Sequence, residues 1–237
     1  MDEQHNIANF ALPLIAKSNL GKHRYMGTAT ILEGDKKILL TCAHIVSELR
    51  HDEQLLLSVY ESGYCLGDYY LDKFTVDESM DIAYIALNDP KIKSKISVES
   101  IKNTKQDILL CQDIMAFGYI SPNPNASPIE LQPQVRKGYV SWTSPRPAPE
   151  VGGKTLNVSS YPNPKGFSGG PVFLANSTTL IGMSYNNLVS EVCAYEHTEI
   201  HENGLPRYKE VKSQIIENGV FHSIQDIQYF LQKNNLC

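Results

Sequence analysis

The run Gly166-Phe167-Ser168-Gly169-Gly170-Pro171 places one serine among three glycines, with a proline closing the run and the apolar Val172 behind it. Glycine permits backbone angles and close approaches that other residues resist. A run of this kind can turn tightly, aim N–H groups at one point and leave the Ser168 hydroxyl uncovered. Those are the needs of an acyl-transfer nucleophile beside an oxyanion hole. A glycine-rich turn with an incidental serine fits the same residues, so a base and an acid must be sought elsewhere. His44, in Thr41-Cys42-Ala43-His44, is the candidate base, and Asp81, in Asp81-Ile82-Ala83, the candidate acid. Asp72 and Asp77 are nearby rivals to Asp81, but neither heads an apolar strand.

One other constellation competes. His197 and His201 stand at i and i+4, as on a zinc-binding helix, with Cys193 close by. A metalloprotease helix needs glutamate directly after its first histidine. Here Thr198 stands there and Glu199 comes one residue late. The segment is β-branched and runs into Asn203-Gly204, which predicts a hairpin or solvated loop. No metal site is therefore assigned, and no cofactor is expected.

The elements that must position His44, Asp81 and Ser168 read as short strands. Residues 8–16 form a first strand, with Pro13 implying an edge or a bulge. Strands over 25–32 and 37–41 flank the turn signal Glu33-Gly34-Asp35-Lys36, giving a hairpin. A short helical turn starts near Cys42 and runs to about Leu49. Strands over 55–60, 69–74 and 81–87 complete a first half. The polar stretch 88–107 reads as a connection. Strands over 114–119, 134–143, 155–160, 171–174, 179–185 and about 210–216 make a second half, separated by turn clusters such as Pro145-Arg146-Pro147-Ala148-Pro149. Ser223 resembles a helix N-cap with Asp226 three residues on, and Ile224, Ile227 and Leu231 recur at helical spacing. The class is all-β with one C-terminal helix.

Three motifs in the order His, Asp, Ser now stand together. They resemble the trypsin-like (chymotrypsin-fold) serine peptidases. Tyr25-Met26-Gly27-Thr28-Ala29, Met115 to Tyr119 and Gln134 to Ser141 echo other strands of that family. The resemblance implies two packed six-stranded antiparallel β-barrels with a C-terminal α-helix. Residues 1–105 would form the barrel carrying His44 and Asp81. Residues 106–237 would form the barrel carrying Ser168, plus the terminal helix 223–233. It also implies a serine endopeptidase with Ser168 as nucleophile, His44 as general base and then acid, and Asp81 orienting His44. The N–H groups of Gly166 and Ser168 would form the oxyanion hole. Ser184, Tyr185 and Asn186 would line the primary pocket with Pro162 at its base, and Ser184 or Tyr185 could hydrogen-bond Asp81. Pro162 is no carboxylate, so a lysine or arginine preference is not expected.

Phe167 stands where secreted zymogen-derived members carry aspartate, and Ile45 where they carry cysteine. The chain is closer to bacterial non-zymogen members such as the high-temperature-requirement proteases, without a PDZ domain. Phe167 is expected to pack inward and hold the loop. The alternative is a latent or non-catalytic protease-fold binding module, recruited or activated by a partner.

Composition sets the remaining bounds. The 237 residues carry net charge −5, from 21 basic against 26 acidic side chains, without a basic block. Nucleic acid is thus not the expected partner; a polypeptide substrate and a separate regulatory or adaptor protein are. No apolar run approaches the ~20 residues of a membrane span, and Met1-Asp2-Glu3-Gln4 is not a basic leader. The five cysteines show no paired spacing, so free thiols and a cytoplasmic setting are expected.

Overall fold

The computed structural model describes residues 9–61, 64–87, 92, 94–105, 107–123, 129–144, 156–200 and 206–236. Met1 to Gln4, the Pro145 to Pro149 cluster and Cys237 lie outside the described residues.

Short, largely buried apolar runs over the first third of the chain build one antiparallel sheet. Its strands are β1 (Ala11–Ser18), β2 (His23–Leu32), β3 (Lys37–Thr41), β4 (Glu53–Glu61), β5 (Tyr64–Leu71), β6 (Thr75–Asp77) and β7 (Ile82–Leu87). A short helix, α1 (Ala43–Ser47), follows β3. The strand order is β5-β4-β1-β2-β3-β7-β6. The expected six-stranded barrel is thus a seven-stranded half-barrel among the described residues. The extra strand arises because the stretch expected as one strand over 69–74 is cut at Leu71. Asp72-Lys73-Phe74 carries the chain from β5 at one edge to β6 at the other.

Pro13 does not mark an edge, since β1 lies between β2 and β4. It is tolerated because pairing with β4 begins only at Leu14, and a bulge follows between Leu14 and Ile15. The stretch 88–107 holds a helix, α2 (Val98–Asn103), which the polar composition concealed. Its Val98 and Ile101 are buried, and the Ser97 hydroxyl caps it by accepting from the Ser100 N–H at 2.9 Å.

The second half closes completely. Strands β8 (Asp113–Ile120), β9 (Gln132–Thr143), β10 (Asn157–Ser159), β11 (Pro171–Leu174), β12 (Leu180–Ile200) and β13 (Pro206–Ser223) form a six-stranded barrel in the order β10-β13-β12-β11-β8-β9. Here β12 and β13 run far beyond the expected strands at 179–185 and 210–216. Beyond the barrel they pair only with each other, to Ile200 opposite Pro206. Burial does not alternate there: Leu188, Val189, Ile215 and Ile216 are all exposed. A period-two signal needs one buried face, and the described side chains of this ribbon show none.

The last helix, α3 (Ile224–Lys233), begins with the expected capping box between Ser223 and Asp226. Although it follows the barrel in sequence, its core joins that of the first sheet. Ile224, Ile227, Phe230 and Leu231 are fully buried there, each worth roughly 1.5–3 kcal/mol of transfer free energy. The Phe230 ring meets Tyr84 of β7 edge-on at 5.7 Å. Gln228 donates to the Thr104 carbonyl at 2.8 Å, and Lys233 pairs with Asp77 at 2.7 Å. The helix thus bolts the two halves together across the site. No helix among the described residues is long and apolar enough to cross a membrane.

Candidate active site

His44 is the second residue of α1, directly after the buried N-cap residue Cys42 and Ala43. Asp81 sits one residue before β7 in a left-handed conformation, φ 54°, which aspartate tolerates better than most residues. That turn presents its carboxylate to α1. The His44 backbone N–H donates to Asp81 Oδ1 at 3.0 Å, and the ring Nδ1 lies 3.1 Å from Oδ1 and 3.0 Å from Oδ2. Burial pushes the Asp81 carboxyl up. The His44 ring and backbone N–H outweigh it and hold the group below its ordinary value, with His222 adding to the pull.

Ser168 lies on the glycine loop between β10 and β11, and both sheets fix that loop. From the barrel, the Gly169 N–H donates to the Ser184 carbonyl at 2.7 Å and the Ser184 N–H to the Gly170 carbonyl at 2.8 Å. From the first sheet, the Thr28 N–H donates to the Ser168 carbonyl at 2.9 Å, and the Thr30 hydroxyl to the Gly169 carbonyl at 2.8 Å. Phe167 is fully buried in the barrel core with Ile114, Val140, Val172 and Phe221, as its apolar character implied.

The Gly166 carbonyl is drawn back toward β2. It accepts from the Thr28 hydroxyl at 2.7 Å and lies 2.8 Å from the Tyr25 hydroxyl, which is also 2.8 Å from the Tyr119 carbonyl. Burial raises the Tyr25 phenol well above its ordinary range, so it stays a donor. Gly166 has φ +103°, and a Cβ there would come within 2.3 Å of the Tyr25 ring. With its carbonyl held back, the loop leaves the N–H groups of Gly166 and Ser168 without a protein acceptor among the described residues.

His44, Ser168 and Gly166 line one cleft of about 550 Å³. Pro162 and Asn186 also line it. Ser184 instead lies buried beneath the loop, and its hydroxyl makes no hydrogen bond to Asp81 or to any other described residue. Tyr185 stacks its ring on His222 at 4.2 Å, while its carbonyl accepts from Ser168 Oγ at 3.1 Å. Burial, with Asp81, Asp226 and Cys42 adding, pushes the Tyr185 phenol up to about 12. One wall of the cleft is zipped. The Asn163 N–H donates to Asn187 Oδ1 at 2.7 Å, Asn187 Nδ2 donates to the Asn163 carbonyl at 2.9 Å, and Asn163 Nδ2 donates to the Asn186 carbonyl at 2.8 Å.

Asn163 was not singled out by sequence reasoning, and Tyr25 and Thr28 entered it only as part of a strand echo. Tyr25 and Thr28 belong to a strand whose pattern shows only burial. The asparagine pair is joined by folding across 24 residues. His197 lies on β12 opposite Glu210, in the hairpin expected of that segment. His201 lies outside the described residues. Neither Cys42, which is buried, nor Cys111, which is exposed, is in a disulfide.

A half-barrel and a closed barrel with a histidine–carboxylate pair facing a serine in one cleft define the chymotrypsin-like architecture. The model of the trypsin-like peptidase domain matches residues 27–183, well over half of the chain. The chain belongs to the trypsin-like peptidase family. No curated protein matches it by sequence. Among solved structures it is similar to an HtrA-type protease, AlgW with a tripeptide, at TM-score 0.56 and 16% identity, covering 95% of this chain and 60% of that one. It therefore spans less than two thirds of that protein. Deg5 matches at TM-score 0.55 and 16% identity, over 78% of this chain and 87% of Deg5. The thermostable serine protease AL20 matches at 0.52 and 15%, over 94% and 96%.

Proposed function

We propose that the chain is a serine endopeptidase working through His44, Asp81 and Ser168 and an acyl-enzyme intermediate. The observation that carries this reading is the Asp81 carboxylate on His44 Nδ1, which directs the other ring nitrogen to act as base in the cleft that Ser168 shares. With Nδ1–H donated to Asp81, Nε2 is the nitrogen that accepts the Ser168 proton as Oγ attacks a peptide carbonyl. The imidazolium formed is stabilised by Asp81 and returns the proton to the leaving amine. Gly166 and Ser168 N–H groups receive the developing oxyanion, each typically worth a few kcal/mol.

Substrate backbone has a template. Ladder pairing of β11 with β12 stops at Met183, and although Ser184 still exchanges hydrogen bonds with Gly169 and Gly170, β12 runs on past it along the cleft that Asn186 and Asn187 line. An extended peptide can add there as a strand. The Asn163–Asn187 zip closes the wall of the cleft that Pro162 and Asn186 line. This supports a small, uncharged side chain at the scissile position.

The Ser168 hydroxyl turned to the Tyr185 carbonyl favours one second reading, a latent protease-fold module that a partner activates. A fluorophosphonate probe separates the two. Covalent labelling of the wild type, absent in Ser168→Ala and His44→Ala, is the result expected of an assembled triad. Absence of labelling in the wild type supports latency and refutes activity of the isolated chain.

A further inference from the structure

Cys42 has no part in the mechanism above, yet it stands against it. Its Sγ, a nitrogen of His44 and a carboxylate oxygen of Asp81 all lie within 4.8 Å of one another. The three come from the end of β3, from α1 and from the turn before β7, so the fold and not a local motif brings them together. We propose that Cys42, His44 and Asp81 form a site for zinc or a similarly thiophilic divalent cation, and that the bound ion switches the peptidase off.

The donor set fits zinc by type, since thiolate, imidazole and carboxylate are its usual ligands. A tetrahedral zinc spaces its nitrogen and oxygen ligands about 3.4 Å apart and holds sulfur about 3.5 Å from either. His44 Nδ1 already lies 3.0 and 3.1 Å from the two Asp81 oxygens, and closing the thiol takes at most roughly 1.3 Å. One thiolate and one carboxylate neutralise the ion, so no net charge is left in a largely buried place. Entry is open from the cleft, because the His44 side chain is 39% exposed and that of Asp81 17%. The thiol now donates to the Ser184 carbonyl at 3.4 Å. Ser184 also carries a buried hydroxyl with no hydrogen-bond partner among the described residues.

Inhibition follows from the proton positions. The ion takes His44 Nδ1, the atom that Asp81 orients. The neutral ring then carries its single proton on Nε2, which becomes a donor and cannot accept the Ser168 proton. The only proton released to solvent is that of the Cys42 thiol. Magnesium, which takes hard oxygen ligands, has no thiolate preference and does not occupy the site.

The inference rests on the peptidase reading only for its consequence, and the test separates the two. Cobalt is titrated into the full chain carrying Ser168→Ala, which removes no ligand. A thiolate-to-cobalt charge-transfer band saturating at one ion per chain, bleached by zinc and absent when Cys42→Ser is added, is expected. A band that persists in the Cys42→Ser chain places the ion on another cysteine and overturns the site, as does the lack of any band. Separately, zinc is expected to block fluorophosphonate labelling of the wild type, reversed by chelator. Cys42→Ser should raise the half-inhibiting zinc concentration by more than about tenfold, since even outer-shell losses cost 10–100-fold in affinity. Equal inhibition of wild type and Cys42→Ser overturns the switch. A wild type that binds cobalt but never labels refutes the peptidase reading and leaves the metal site standing.

Discussion

Replacing Gly169 with alanine tests whether close approach of the two sheets fixes the nucleophile loop. Gly169 has φ +85°, and a Cβ there would lie 1.9 Å from the Thr28 carbonyl oxygen and 2.5 Å from Thr41 Oγ1. The left-handed backbone alone costs alanine about 1–2 kcal/mol. The contact cannot be relieved by a side-chain rotation, because Thr28 is β2 backbone and its carbonyl already accepts from Thr41 at 2.8 Å. The loop must therefore retreat by more than an ångström, at an overpacking cost of roughly 1–3 kcal/mol, loosening the Ser184 and Thr30 hydrogen bonds at about 1 kcal/mol each. The sum is about 4–7 kcal/mol, a large share of an ordinary domain's stability. Gly21 supplies the control. It has φ +73° but nothing within 4 Å of its would-be Cβ, so Gly21→Ala should cost only the roughly 1–2 kcal/mol of the backbone term. At about 2–4 °C per kcal/mol for a chain of this size, thermal unfolding by circular dichroism should fall several times further for Gly169→Ala than for Gly21→Ala. Fluorophosphonate labelling below both midpoints should fall with it. Equal shifts in the two variants, or a Gly169→Ala that labels at the wild-type rate, would refute the claim that Thr28 positions this loop.

Three further outcomes follow from named contacts. Tyr25→Phe removes the hydroxyl between the Gly166 and Tyr119 carbonyls; it should cost about 1–3 kcal/mol in urea unfolding and slow labelling by displacing Gly166, whereas a slowed rate without lost stability would contradict that account. Asp81→Asn keeps a side chain that tolerates φ 54° but no longer fixes the His44 tautomer; kcat should fall by about 10²–10⁴-fold with unfolding little changed, and an active Asp81→Asn enzyme would remove Asp81 from the mechanism. Burial pushes Asp77 up, but Lys233, Ser79 and the Met80 N–H outweigh it and hold the carboxyl at about 2 against an ordinary 3.8. A depressed folded value stabilises above the unfolded value and is lost as pH falls through the folded one. Wild type and Lys233→Met should therefore differ in stability at pH 7 and converge between about pH 4 and pH 2, and a constant gap down to pH 2 would show that the pair is not the cause.

What the sequence disclosed, and what it hid, follows from range. Ser168, His44 and Asp81 each carry a local signature: a glycine cluster, the helical turn after a β strand, the residue before one. The Ser223 capping box and the apolar face of α3 are likewise complete within a turn or two of helix. By contrast, the partition of residues 69–77 into strands at opposite edges depends on which neighbours are reached, and no local pattern reports it. The ribbon of β12 and β13 escaped for a different reason, since its described side chains are exposed rather than alternately buried, and without that alternation a strand is not recognised. Ser184 illustrates the limit at the site itself. The resemblance implied that it would line the pocket, but packing buries it under the loop and decides the orientation of its hydroxyl.

The hydrogen bonds around Ser168 also say why the catalytic loop needs both halves of the fold. The barrel supplies Ser184 and the buried Phe167 anchor, enough to hold the loop near the surface. It does not supply the groups that turn the Gly166 carbonyl away from the cleft; Thr28 and Tyr25 of β2 do that. His44 and Asp81 likewise belong wholly to the first half of the fold. On the proposed mechanism, separating the two sheets therefore displaces the Gly166 and Ser168 N–H groups and His44 together. The α3 helix, which follows the barrel and buries Phe230 against Tyr84, resists that separation. Activity in such an arrangement reports the sheet-to-sheet interface, so contacts that tighten or loosen α3 act on kcat without touching substrate.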